Sequence, residues 1–194
     1  MMNDSGKPKR PAPDSQARPS SVVTPMEGRA RESEKPPLPK RRPLPHHAAI
    51  ARHNQSIIIF VTMCTKNRRH LLAKDDTHKI IRTSWREADG WLVGRYVLMP
   101  DHLHLFCAPA IHPMPPLRQW LFRWRAAATR NWPRPDEKPI WQKDFFDRQL
   151  RRGESYSEKW AYVFNNPVRA SLVQAAEDWP HQGELNSLAW HEAA

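Results

Sequence analysis

Apolar and polar residues alternate in this chain with two different periods, and the change of period marks the elements. Ser56-Ile57-Ile58-Ile59-Phe60-Val61-Thr62-Met63-Cys64 is short, apolar and rich in β-branched residues, which predicts a buried strand. Asp75-Asp76-Thr77 offers N-cap chemistry for a helix carrying Ile80, Ile81, Ser84, Trp85 and Ala88, and Gly90 stops it. Trp91 to Met99 reads as a second strand. Pro100-Asp101 makes a tight connection into a third, antiparallel strand from His102 to Ala108. Leu117, Trp120, Leu121, Trp124 and Ala128 then recur at a spacing of three and four, the signature of an amphipathic helix. Residues 140–150 read as extended or irregular. Ser155-Tyr156-Ser157-Glu158 has the form of a capping box and opens a last helix that Pro167 ends. The order β-α-β-β-α-(β)-α predicts an α+β sandwich, a mainly antiparallel sheet with helices on one face and the other face open to a ligand.

The first fifty residues follow no such period. They hold 10 of the 20 prolines and none of the 18 aromatic residues. A stretch of that kind buries too little surface to offset its ordering entropy, so residues 1–50 are expected to be a disordered, Pro-rich basic tail. It reads either as an electrostatic tether for an anionic polymer or as a plain solvated extension. Residues 51–180 are the expected domain, and 181–194 a C-terminal extension.

Charge and cysteine content narrow the class. The chain of 194 residues carries a formal net charge of +11, which favours an anionic partner. Its longest apolar run, Ile57 to Val61, is far shorter than the roughly 20 residues of a membrane span. No secretory signal is visible in the first thirty residues, and two cysteines, Cys64 and Cys107, make no disulfide scaffold. The expected compartment is therefore the cytoplasm.

Chemistry concentrates at His102-Leu103-His104. Positions i and i+2 of a strand share a face, so the two imidazoles point together while Leu103 and Leu105 face the core. Two neutral ring nitrogens side by side are a plausible pair of ligands for a divalent metal. A zinc variant that adds Cys107 is the weaker choice, because strand parity puts Cys107 on the opposite face. The chain has three tyrosines, Tyr96, Tyr156 and Tyr162; the first falls inside a strand and the second at a helix start. Tyr162 is mid-helix, with Asn166 one turn on, able to offer an oxygen ligand from the same face. A phenol is a weak nucleophile near neutral pH, and a metal that polarises a phosphate makes its attack feasible.

Residues Tyr96-Val97-Leu98-Met99-Pro100-Asp101-His102-Leu103-His104-Leu105-Phe106 resemble the HUH motif of single-tyrosine transposases, in which a bulky apolar residue separates two histidines. Phe60-Val61-Thr62-Met63-Cys64-Thr65-Lys66-Asn67-Arg68, Trp141 to Asp147 and Tyr156 to Val173 are similar to further blocks of that family, in the same order. The nearest branch by these residues is that of the REP-associated tyrosine transposases, related to the transposases of small insertion sequences. The resemblance spans roughly residues 50–180 and departs from the family pattern after Pro180, where the chain reads His181-Gln182-Gly183-Glu184. It implies a ferredoxin-like (RRM-like) fold with a C-terminal tyrosine-bearing helix. His102 and His104 would bind Mg²⁺ or Mn²⁺, with Asn166 as third ligand. Tyr162 would attack a scissile phosphate of single-stranded DNA beside a hairpin of palindromic repeats, giving a 5′-phosphotyrosine link and a free 3′-OH. Related enzymes act as monomers or homodimers, and such a protein would be found at the nucleoid.

Basic residues suited to phosphate or base contacts are Arg95, Arg118, Arg125, Arg148, Arg151 and Arg152, whereas Trp85, Trp120 and Trp124 fall on apolar helix faces and are assigned to packing. Two functions stand: a metal-dependent tyrosine nickase and strand transferase, and a non-catalytic, domesticated DNA-binding descendant of the same fold.

Overall fold

A computed structural model describes residues 57–151 and 155–189 of the chain. The predicted strand-helix alternation is present. Strand β1 is Ile59–Thr65, helix α1 Asp75–Glu87, β2 Trp91–Leu98, β3 His102–Pro109, α2 Leu117–Arg130 and β4 Trp141–Gln149. Helix α3 (Tyr156–Phe164), a short helix α4 (Asn166–Arg169) and strand β5 (Gln182–Glu184) follow. All strands join one antiparallel sheet in the order β4-β1-β3-β2-β5.

Strand parity divides the molecule. Ile59, Val61 and Met63 of β1 and Leu103, Leu105 and Cys107 of β3 turn to the face covered by α1 and α2. There they meet Ile81 and Trp85 of α1 and Trp120, Leu121, Trp124 and Ala128 of α2. The three tryptophans assigned to packing are at most 3% exposed, and Trp120 donates its indole N–H to the Ala88 carbonyl at 2.9 Å. Buried indoles of this size dominate a core, and here the ring nitrogens of Trp85 and Trp124 are buried without a hydrogen-bond partner among the described residues. Gly90 sits at φ +100°, and a Cβ there would lie 2.7 Å from Pro115, so the turn from α1 into β2 requires glycine.

Three expectations are corrected. The helix N-cap falls on Lys74, without a side-chain hydrogen bond; Asp75 and Asp76 occupy the first turn, where they complement the helix dipole. The second sheet face is not left wholly open. Ile58, Val97, Met99 and Phe106 form a second buried cluster with Tyr156 and Val163 of α3, Trp179 and Leu188. Helix α3 therefore lies against the face opposite α1 and α2.

The residues after Pro180 also join the domain. Gln182–Glu184 pair with Arg95–Val97, and Leu98 N–H donates to the His181 carbonyl at 2.8 Å. Trp179 donates its indole N–H to Leu98 O at 2.9 Å and Asn186 its amide to Val93 O at 2.8 Å. Gly94 makes room for Leu188, whose Cδ1 lies 2.6 Å from where a Cβ would stand. Among the described residues no helix is long and apolar enough to cross a membrane.

Candidate active site

The β2–β3 hairpin is tied down before any site chemistry begins. Met99 N–H donates to His102 O at 2.8 Å, closing the turn. The Pro100 carbonyl accepts from Leu71 and Leu72 at 2.8 and 2.9 Å, and the Asp101 carbonyl accepts from Thr65 at 2.9 Å. The turn is thus held by the segment that follows β1, so the first histidine starts from a fixed backbone.

His102 and His104 emerge from the same face of β3, as parity requires, with ring centroids 4.9 Å apart and planes at 84°. His102 Nδ1 donates to Asp101 Oδ1 at 2.6 Å, and the other oxygen of that carboxylate holds Arg68 Nε at 2.7 Å. A carboxylate only accepts, so this bond sets the His102 tautomer and leaves Nε2 with its lone pair. His104 Nδ1 is bonded to Thr62 Oγ1 at 2.8 Å, directly across the β1–β3 ladder. Phe60 stacks on the His104 ring at 5.4 Å and 19°.

Both rings are held neutral. Burial lowers the pKa of His102, opposed by the Asp101 carboxylate. Burial lowers His104 to about 3, and the neighbouring His102, then Arg68 and Arg169, add to the effect. Anchored Nδ1 atoms and unprotonated rings are the arrangement in which histidine ligates a metal through Nε2. The pair therefore fits a divalent ion. Among the described residues no group of three His, Cys, Asp or Glu side chains is placed to hold one. Cys107 is not a donor: it lies buried on the helix-covered face, its Sγ against the Ile59 carbonyl, and burial pushes the thiol pKa well up.

Tyr162 projects from α3 with 62% exposure, away from Tyr156 and Val163, which face the sheet. Ser155 caps the helix, accepting from Glu158 N–H at 3.0 Å as the capping box predicts. Asn166 does not share this helix. The helix ends at Phe164 and Asn166 begins α4, because Pro167 has no N–H to continue the ladder. Arg169 joins the two residues instead. Its guanidinium lies 4.2 Å over the Tyr162 ring, and its Nη1 donates to Asn166 Oδ1 at 3.2 Å.

The basic candidates are scattered. Arg95 is a clamp, its guanidinium over the Tyr156 and Trp160 rings at 5.4 and 5.7 Å and paired with Glu184 at 3.3 Å. Arg118 is exposed on α2, which lies on the face away from the histidines. Arg125 is on the same helix and donates to Gln142 O at 2.6 Å; burial lowers its pKa. Arg148 is exposed opposite Phe60, on the strand that borders the histidine face, and Arg151 is exposed just after β4. Arg152 lies outside the described residues. Sequence reasoning missed Phe146, an exposed aromatic ring on β4; the odd placement of two adjacent phenylalanines, Phe145 and Phe146, was its only signal.

This chain, an antiparallel α+β sheet with a histidine pair on one strand and a tyrosine on an appended helix, is similar in sequence and in fold to known transposases. The chain is 26% identical over 126 residues to the REP-associated tyrosine transposase of Escherichia coli (strain K12), an alignment covering 62% of this chain and 72% of that protein. Its fold matches the solved structure of the REP-associated tyrosine transposase bound to a REP hairpin, with a TM-score of 0.57 and 19% identity over 72% of this chain and 81% of that one. No family model matches. The family resemblance carried by the four sequence blocks is thus met by a curated relative and, for the fold, by a solved structure.

Proposed function

We propose that this chain is a metal-dependent endonuclease and strand transferase that cuts single-stranded DNA beside a hairpin. The observation that carries this reading is the His102–His104 pair, with both Nδ1 atoms anchored, on the sheet face that α3 partly covers. The hairpin comes from the structural relative, which was solved bound to one.

His102 and His104 would hold the metal through Nε2. When bound, Mg²⁺ or Mn²⁺ would polarise the scissile phosphate and neutralise charge as it develops. Asn166 supplies the third, oxygen donor in this reading, with the lone pair of Oδ1 that Arg169 does not hold. Tyr162 Oη attacks phosphorus and loses its proton, and the P–O3′ bond breaks. The departing 3′ oxygen takes up a proton, leaving a 5′-phosphotyrosine. One P–O ester replaces another, so the link can be passed to a second 3′-OH without ATP. Arg148 and Arg151 are the phosphate contacts we favour, Arg148 because it borders the histidine face. A protein with this activity would act at the nucleoid.

The test is covalent capture of a labelled hairpin-containing single strand with Mn²⁺. Wild-type protein gives an SDS-resistant adduct; Tyr162→Phe gives none and still binds the strand. An adduct with Tyr162→Phe removes Tyr162 as nucleophile. The second reading, a non-catalytic DNA-binding descendant, is favoured by Arg169 covering Tyr162 and holding Asn166. Strand binding by the wild type with no adduct and no nick in any divalent metal would establish it.

A further inference from the structure

The histidine face carries an aromatic strip that the proposed cleavage leaves unused. Across the sheet, Phe146 of β4 pairs with Thr62 of β1, and Thr62 pairs with His104 of β3. The neighbouring rung runs Arg148, Phe60, Phe106. The rings touch in sequence: Phe60 stacks on His104, and Phe146 meets Phe60 edge-on at 6.4 Å and 67°. Phe106 lies beneath Tyr156 of α3 at 5.0 Å and is fully buried, whereas Phe146 remains 42% exposed. Packing does not account for Phe146, since its neighbour Phe145 already fills the core position of β4 on the other face.

We propose that Phe146, backed by Phe60, stacks an unpaired nucleobase next to the phosphate held at His102 and His104. This rests on the single-strand reading of the site. Two strand spacings put the Phe146 backbone about 10 Å from that of His104, a distance that one nucleotide bridges from phosphate to base. Aromatic side chains on an open sheet are how several single-strand binders hold splayed bases, and any base can stack because each presents a π face. A base paired in a duplex keeps both faces covered by its neighbours and has no access to Phe146. The platform would therefore select single-stranded over duplex DNA at the point of cutting.

The experiment measures affinity of the full chain for a labelled single strand and for the same sequence as a duplex. Phe146→Ala and Phe146→Leu should each weaken single-strand binding about 5- to 150-fold, the range for losing one stacked base. Phe146→Trp should restore it. Duplex affinity and the salt dependence of binding should not change, because no phosphate contact is removed. Phe146→Leu keeps an apolar side chain on β4, so its loss of affinity without loss of melting temperature separates stacking from folding. Wild-type binding left intact in Phe146→Leu, or an equal loss on duplex, overturns the stacking proposal alone. Absence of single-strand binding by the wild type overturns the single-strand reading and the platform with it.

Discussion

Leu103 and Leu105 leave β3 on one side, His102 and His104 on the other, and the two sides obey different rules. The leucine side meets α1 and α2 and is filled mainly by interlocking apolar side chains. The histidine side is only partly covered, by α3, and each polar ring on it is held by a named partner: Asp101 for His102, Thr62 for His104. A core position is specified by volume, whereas a site position is specified by hydrogen-bond direction. Alternate residues of a single strand thus answer to different physics, and substitutions on the two sides should fail in different assays.

The largest effect should come from the leucine side. Leu105→Ala leaves a cavity at a fully buried position and should cost about 2–5 kcal/mol in a denaturant melt. His104→Ala should move the same melt far less, yet remove the Mn²⁺-induced rise in melting temperature and the DNA adduct; a loss of stability matching Leu105→Ala would erase the contrast between the faces. Thr62→Val comes next. It keeps the shape and deletes the partner of His104 Nδ1, and should weaken Mn²⁺ binding about 10- to 100-fold by titration.

The last contrast is in pH. His78 of α1, bonded to Tyr96 Oη at 2.9 Å, is lowered to about 4 by burial. Since it holds fewer protons folded than unfolded, the protein should lose stability as pH falls below about 6.5, with the loss from this group complete below about 4. His78→Gln should make that slope shallower in melts between pH 7 and 4, with the part due to His104 remaining, and leave the Mn²⁺-induced rise at pH 7 untouched. If the rise disappears as well, the two faces are coupled more tightly than the separate clusters imply.

Much of this was legible in the residues. The β1, α1, β2, β3 and α2 segments follow their hydrophobic periods closely, and the H-x-H pair could be placed on one face from strand parity alone. Ser155 was readable as a cap because the capping box is local chemistry. What escaped depended on distant partners. Gln182-Gly183-Glu184 has poor strand propensity and becomes β5 only because β2 offers an open edge and Trp179 and Leu188 anchor the segment either side. The side of the sheet that α3 covers is a tertiary choice, invisible in its helical period. Asn166 looked like the next turn beyond Tyr162, but the proline after it moved it to another helix. Arg125 carries the composition of a phosphate binder and spends its guanidinium on a β4 carbonyl.

The fit of Leu188 over Gly94 bears on how this chain can be shortened. A cut after Pro180, where the family resemblance ends, would remove β5 and strip the outer amides and carbonyls of β2 of their partners. A bare strand edge of that kind recruits a second chain, so the shortened protein should oligomerise or precipitate in size-exclusion runs at concentrations where the full chain elutes cleanly.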